Sequence, residues 1–252
     1  MTDQTVTTPP RPRPQPSKAG EILTAVVSAG LLAAWIGWQM GWIFALAGVV
    51  GVLVHESGHL IAINVMGFGP GRIQIIPFLG GAATPKRPAD TEFKGVLISL
   101  AGPVFGLLAM APFFIAQAVT GEDRWLGGAF FVAAINLLNL APAPPLDGSK
   151  AFGPALAFIH PWLERVALVL VGAVVVLWSL QRGSLIFPAF VALSVFGSLR
   201  RRQLRPNARR LTLAEWGGSL GLYAAAVALC GMSVALTLDP RVIYALRRML
   251  GL

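Results

Sequence analysis

Four stretches of this chain carry no charged residue: 22–54, 95–121, 125–146 and 216–238. Each exceeds the roughly 20 helical residues needed to cross a hydrocarbon layer about 30 Å thick. Water cannot satisfy backbone N–H and C=O groups inside such a layer. A spanning segment must therefore bond its own backbone, as a helix does. The composition agrees: charged residues are 12% of the chain and hydrophobic residues 55%, whereas a soluble domain carries about 25% charged residues. The expected fold class is an all-α polytopic membrane protein.

The spans divide at local signals. The run 22–66 is too long for one crossing, and Trp38-Gln39-Met40-Gly41-Trp42 marks a turn with tryptophans at the interface. Spans are expected at 22–39, 42–66, 95–118, 125–141, 162–181, 184–199 and 215–237, six forming a core and the seventh an addition. Between the second and third, Gly67, Gly69 and Gly71 precede Arg72-Ile73-Gln74-Ile75-Ile76-Pro77 and then Gly80-Gly81. This pattern predicts a short membrane-associated β-hairpin turning at the Gly-Gly pair. Residues 1–20, rich in Pro and Thr, are expected to form a disordered tail. A signal peptide is disfavoured there, because the apolar run that follows is far longer than an h-region. The chain thus divides into a tail (1–20), a transmembrane core (21–199) and a basic loop with an added helix and short tail (200–252).

The formal net charge of +9 does not point to nucleic acid. The basic residues sit in short loops, and no aromatic-basic stripe is present to read bases. With these spans, the N-terminal tail, 67–94, 142–162 and the arginine-rich 200–210 share one side. The positive-inside rule makes that side cytoplasmic, for a multi-pass protein of the cell membrane. The C-terminal Arg241, Arg247 and Arg248 fall on the opposite side and run against the rule. Cys230 is the single cysteine and forms no internal disulfide.

An ionisable side chain within a membrane span is costly and marks function by default. Glu56 and Asp147 are the two acidic residues placed there. Glu56 lies in His55-Glu56-Ser57-Gly58-His59. Spacing of four puts both imidazoles on one helix face, where neutral rings can ligate zinc. Glu56 beside them is placed to take a proton from the nucleophilic water. Catalytic zinc commonly has three protein ligands and one open position. The leading third candidate is Asp147, in Asn139-Leu140-Ala141-Pro142-Ala143-Pro144-Pro145-Leu146-Asp147-Gly148. The prolines end the fourth span, and irregular backbone at membrane depth is tolerated only where protein buries it or water lines it. The competing reading of Asp147 is a turn residue before glycine. The later glutamates Glu92, Glu122, Glu164 and Glu215 sit in no comparable motif. His160, before Pro161-Trp162, reads as an interfacial packing residue. The GxxxG spacing of Gly102 and Gly106, like that of Gly217 and Gly221, reads as chance in a glycine-rich chain, Pro103 and Pro112 as kinks in the third span, and the arginines of 200–210 as lipid-facing or topology-setting charge.

The two motifs together, in this order and with spans between them, resemble the site-2 protease family of intramembrane metalloproteases. That family carries H-E-x-x-H on one transmembrane helix and N-x-x-P-x-P-x-x-D-G near a later one. Pro77-Phe78-Leu79-Gly80-Gly81 and Ser99-Leu100-Ala101-Gly102-Pro103 are also similar to family segments, so the resemblance covers about 22–199. It implies one zinc ion held by His55, His59 and Asp147, with Glu56 as general base. Asn139 would help position substrate, and the hairpin, with Gly80 and Gly81, would hold an unwound substrate strand. It implies peptide-bond hydrolysis in or near a transmembrane segment, on a single-span membrane protein such as a membrane-held transcription factor or anti-sigma factor. The compact form expected here lacks PDZ and CBS domains. The alternative is a non-proteolytic membrane protein that binds or transports zinc.

Overall fold

The computed structural model describes residues 18–76, 80–181, 186–200, 205 and 208–238. Helix α1 (Lys18–Met40) and helix α2 (Trp42–Val65) are joined at Gly41 alone. Gly41 has φ 98°, a left-handed backbone that glycine adopts without a Cβ clash. The turn therefore sits where the tryptophan-flanked signal placed it. Of the tail expected over 1–20, residues 18–20 open α1 and the rest lie outside the described residues.

Strands β1 (Arg72–Ile76) and β2 (Gly80–Thr84) pair antiparallel, with Gln74 opposite Ala82 and Ile75 opposite Gly81. The hairpin is as expected, but its turn is not. Gly80 and Gly81 open β2 instead of forming the turn, and 77–79 lie outside the described residues. The reason is packing: a Cβ on Gly81 would run into the Glu56 side chain.

The third span, Glu92–Thr120, is one membrane-length unit in three pieces: α3 (Glu92–Gly106), a 3-10 turn (Leu107–Met110) and α4 (Ala111–Thr120). Pro112 has no N–H for the Leu108 carbonyl. The Ala111 N–H takes that carbonyl instead, which tightens the turn. Helix α5 (Arg124–Asn139) ends before the proline run, and α6 (Asp147–Ile159) begins after it. Helix α6 was not expected, because prolines and the Asp-Gly pair masked it. Helices α7 (Pro161–Gln181), α8 (Ile186–Arg200) and α9 (Leu213–Thr237) follow. Helix α9 starts with a capping box between Thr212 and Glu215.

Five described helices are long and apolar enough to cross a membrane: 23–40, 42–65, 92–120, 161–181 and 213–237. Helix α5, with 16 residues, and α8, with 15, are shorter than the seven-span expectation required. Large apolar side chains such as Leu170, Val174 and Trp178 face outward, as lipid-facing positions of a multi-pass membrane protein do. Alanines such as Ala47, Ala109, Ala129 and Ala133 in the interior let helices approach closely. Ile43, Ala47, Ala109, Phe113, Ala129, Val132 and Ala133 join α2, the 3-10 turn, α4 and α5. A second cluster, Val96, Leu100, Leu140, Ala151, Ala226 and Cys230, joins α3, α6 and α9.

Arg205 does not face lipid. Its guanidinium donates to Glu92 Oε1 (2.9 Å) and in a fork to Glu164 Oε1 and Oε2 (2.7 and 2.8 Å). Burial works against its charge, but the Glu164 and Glu92 carboxylates outweigh that and raise its pKa above the ordinary arginine value. Glu92 Oε2 also accepts from the Leu211 N–H. One network thus ties the starts of α3 and α7 to the chain leading into α9.

Candidate metal centre

Helix α2 carries His55, Glu56 and His59 on its inner side, all three buried. Two glycines on α3 make room. A Cβ at Gly102 would overlap the His59 ring, and one at Gly106 would overlap the Asn136 amide. Their spacing is a fit to α2 and α5, which corrects the reading of it as chance. Gly58, inside the histidine motif, likewise lies where a Cβ would meet the Ala101 carbonyl at 2.5 Å.

Asp147 is the first residue of α6, and its carboxylate sits at the helix N-terminus, where the dipole favours negative charge. Its Oδ2 lies 3.0 Å from His55 Nε2 and 3.0 Å from His59 Nε2, and the two Nε2 atoms are 3.1 Å apart. Three donor atoms from α2 and α6 therefore form a nearly equilateral triangle.

The protons in this triangle can be placed. Asn136 Nδ2 donates to Val132 O (2.8 Å), which leaves Oδ1 to accept from His55 Nδ1–H (2.8 Å). His59 Nδ1 lies 2.7 Å from Ile98 O, which can only accept, so it too carries the proton. A neutral imidazole protonated at Nδ1 presents a lone pair at Nε2. Both Nε2 lone pairs and the carboxylate therefore converge. Such a set repels itself unless positive charge lies between its members. Protonating both rings would set two N–H groups head to head at 3.1 Å, and a single shared proton cannot serve all three contacts. A cation can. Ligands about 2.0–2.1 Å from one tetrahedral zinc stand roughly 3.3 Å apart, a few tenths of an ångström more than here. Two imidazoles and a carboxylate, each imidazole held through its far nitrogen, are a donor set suited to zinc.

Glu56 stands on the same turn. It accepts from the Ala83 backbone N–H on β2, while its Oε2 is buried with no hydrogen-bond partner among the described residues. The outer edge of β2 therefore faces this carboxylate. Lys150, on α6, is mostly exposed and has its Nζ 3.7 Å from Asp147 Oδ1.

The remaining sequence candidates fall as follows. Gly81 lies directly against Glu56, with Gly80 beside it at the start of β2. Asn139 is half-buried at the end of α5, one turn beyond Asn136. Asn136 is the residue that touches His55, and the sequence reading did not single it out. A signal existed: an asparagine inside an otherwise apolar helix, one turn ahead of the proline motif. His160 is exposed, accepts from the Trp162 N–H and lies apart from the triangle.

Comparison with known proteins gives one distant similarity. Residues of this chain are 22% identical over 151 positions to zinc metalloprotease MJ0392 of Methanocaldococcus jannaschii, covering 58% of this chain and 43% of that protein. The match thus spans less than half the length of that relative. No family model matches the chain, and no solved structure does.

Proposed function

We propose that this protein is an intramembrane zinc metalloprotease of the site-2 protease type, hydrolysing peptide bonds in or beside transmembrane segments of single-span membrane proteins. The observation that carries the reading is the convergence of two Nε2 lone pairs and one carboxylate oxygen within 3.0–3.1 Å, next to a buried carboxylate oxygen without a partner among the described residues. The name of the distant relative, zinc metalloprotease, agrees with it, and so do the several helices of membrane length.

His55, His59 and Asp147 would hold one zinc ion per chain. Zinc so held supplies Lewis acidity, generating a nucleophile from water at neutral pH and polarising the scissile carbonyl. Glu56 then accepts the proton of the attacking water and returns it to the leaving amine. The free Oε2 is the atom for that task. Asn139 helps position substrate near the centre. A helical segment hides its amides, so the substrate must be held extended. The β2 edge beside Glu56, at Gly81, offers backbone groups to a strand added there. By the distribution of basic loops, the centre faces the cytoplasmic side of the cell membrane.

The test is direct. Purified protein should contain about one zinc per chain, and Glu56→Gln should retain the metal yet lose cleavage of a single-span substrate by several orders of magnitude. Full activity of Glu56→Gln would remove Glu56 from its role, and absence of zinc from the wild type would remove the reading itself.

A further inference from the structure

The proline run between α5 and α6 leaves a specific backbone group without a helical partner. In a continued helix the Leu140 carbonyl would accept from the N–H of residue 144, but Pro144 has none. The neighbouring donors are already used. The Leu140 and Ala141 N–H groups bond back to Leu137 and Leu138, and the Ala143 N–H bonds to Ala141. Leu140 is buried at 1% exposure, so an unmet carbonyl there would be costly.

The partner comes from α9. Tyr223 Oη–H donates to Leu140 O at 2.6 Å. The same tyrosine ring stacks on Phe152 of α6, with centroids 4.9 Å apart and planes 25° from parallel. Tyr223 thus grips both sides of the proline segment. The gripped carbonyl is also the surface on which α6 begins: a Cβ at Gly148 would collide with Leu140 O. The peptide next to Asp147 therefore rests on the carbonyl that Tyr223 holds. Two turns earlier on α9, Trp216 makes a comparable grip farther along α6, donating to Ala155 O at 3.1 Å and stacking on Phe158.

We infer that Tyr223 is a positioning residue for the metal centre, setting the location of Asp147 through the Leu140 carbonyl, and that α9 is part of the working catalytic unit. This rests on the zinc reading above. It assigns Tyr223 no contact with metal or substrate. Its effect passes through backbone packing at Leu140 and Gly148.

The experiment uses the full-length protein in detergent or nanodiscs, loaded with zinc or with cobalt(II) as a spectroscopic probe. Tyr223→Phe keeps the ring on Phe152 and removes the donor. It is expected to weaken zinc affinity about ten-fold or more, as losses of ligand-orienting groups do. It should also alter the cobalt absorption bands and lower kcat more than it raises KM. Trp216→Phe removes the α9–α6 hydrogen bond to Ala155 O and is expected to lower Tm while leaving zinc affinity and the cobalt spectrum as in wild type. If Tyr223→Phe does not fold, fluorotyrosines of falling phenol pKa at position 223 replace it, and the cobalt bands should shift progressively along the series. Wild-type affinity and spectrum in Tyr223→Phe, or an invariant fluorotyrosine series, would overturn the inference while leaving the zinc site intact. A wild-type protein that binds no zinc would overturn both.

Discussion

At the scale of single residues, the geometry of the candidate centre depends on groups outside the His55, His59 and Asp147 triangle. The Asn136 amide is locked by Val132 O and in turn fixes the proton on His55 Nδ1. Asn136→Ala leaves that N–H without its acceptor and frees the ring to rotate. Its expected cost is about 10–100-fold in zinc affinity, measured by competition with a chromophoric chelator, with little change in secondary structure. Asn136→Asp should be milder, since a carboxylate still accepts. The i,i+4 histidines and the proline-rich approach to Asp147 are readable in the sequence because each is a local pattern. The role of Asn136 is not local: it sits 81 positions from His55 and announces itself only as a polar residue in an apolar helix. Gly102 and Gly106 are harder still. In a chain with 28 glycines spacing alone cannot separate the pair that borders His59 and Asn136 from the rest.

At the scale of elements, most helices follow from apolar runs, and the hairpin follows from its glycines and β-branched residues. What escaped is instructive. Helix α6 is short, contains Pro154 and follows three prolines, so local rules argue against it. It forms because its buried face, including Ala151 and Ala155, packs in the interior. Turn chemistry favours a Gly-Gly pair, yet the use of Gly81 is to let β2 lie on Glu56. Gly81→Val should therefore displace either the strand or the carboxylate. We expect zinc content to be retained and kcat to fall at least ten-fold, measured on the substrate used to test Glu56→Gln. Ala82→Val, which faces the other way along the strand, serves as the comparison.

At the scale of the whole molecule, Arg205 ties together segments far apart in the chain, Glu92 and Glu164 lying 113 and 41 positions away. Arg205→Ala would leave two buried carboxylates facing one another. Breaking a buried pair in this way costs about 3–5 kcal/mol, which denaturant titration in mixed micelles should register as a lowered midpoint. Arg205→Lys should recover part of that, since a lysine lacks the planar fork that meets Glu164 through both oxygens. Because the folded pKa of Arg205 is raised, this contribution is complete below the ordinary arginine pKa and fades only as pH climbs through the raised value. The network should thus be insensitive to pH across the neutral range. Sequence alone showed an arginine cluster suited to headgroups or topology. Which of its members turns inward is decided by acids on two other helices.

The donor triangle draws one ligand pair from α2 and the third from α6, 88 positions beyond His59. An ion seated there is a clasp between two distant lengths of chain, and its binding free energy adds to folding free energy. At a free zinc concentration a thousand times the dissociation constant, the clasp contributes about 4 kcal/mol. Stripping the ion with a chelator should therefore soften the bundle as well as silence it, with a thermal midpoint that climbs with each increment of zinc restored. If the proposed ion is absent, the chain would stand in a looser form and be the more readily degraded.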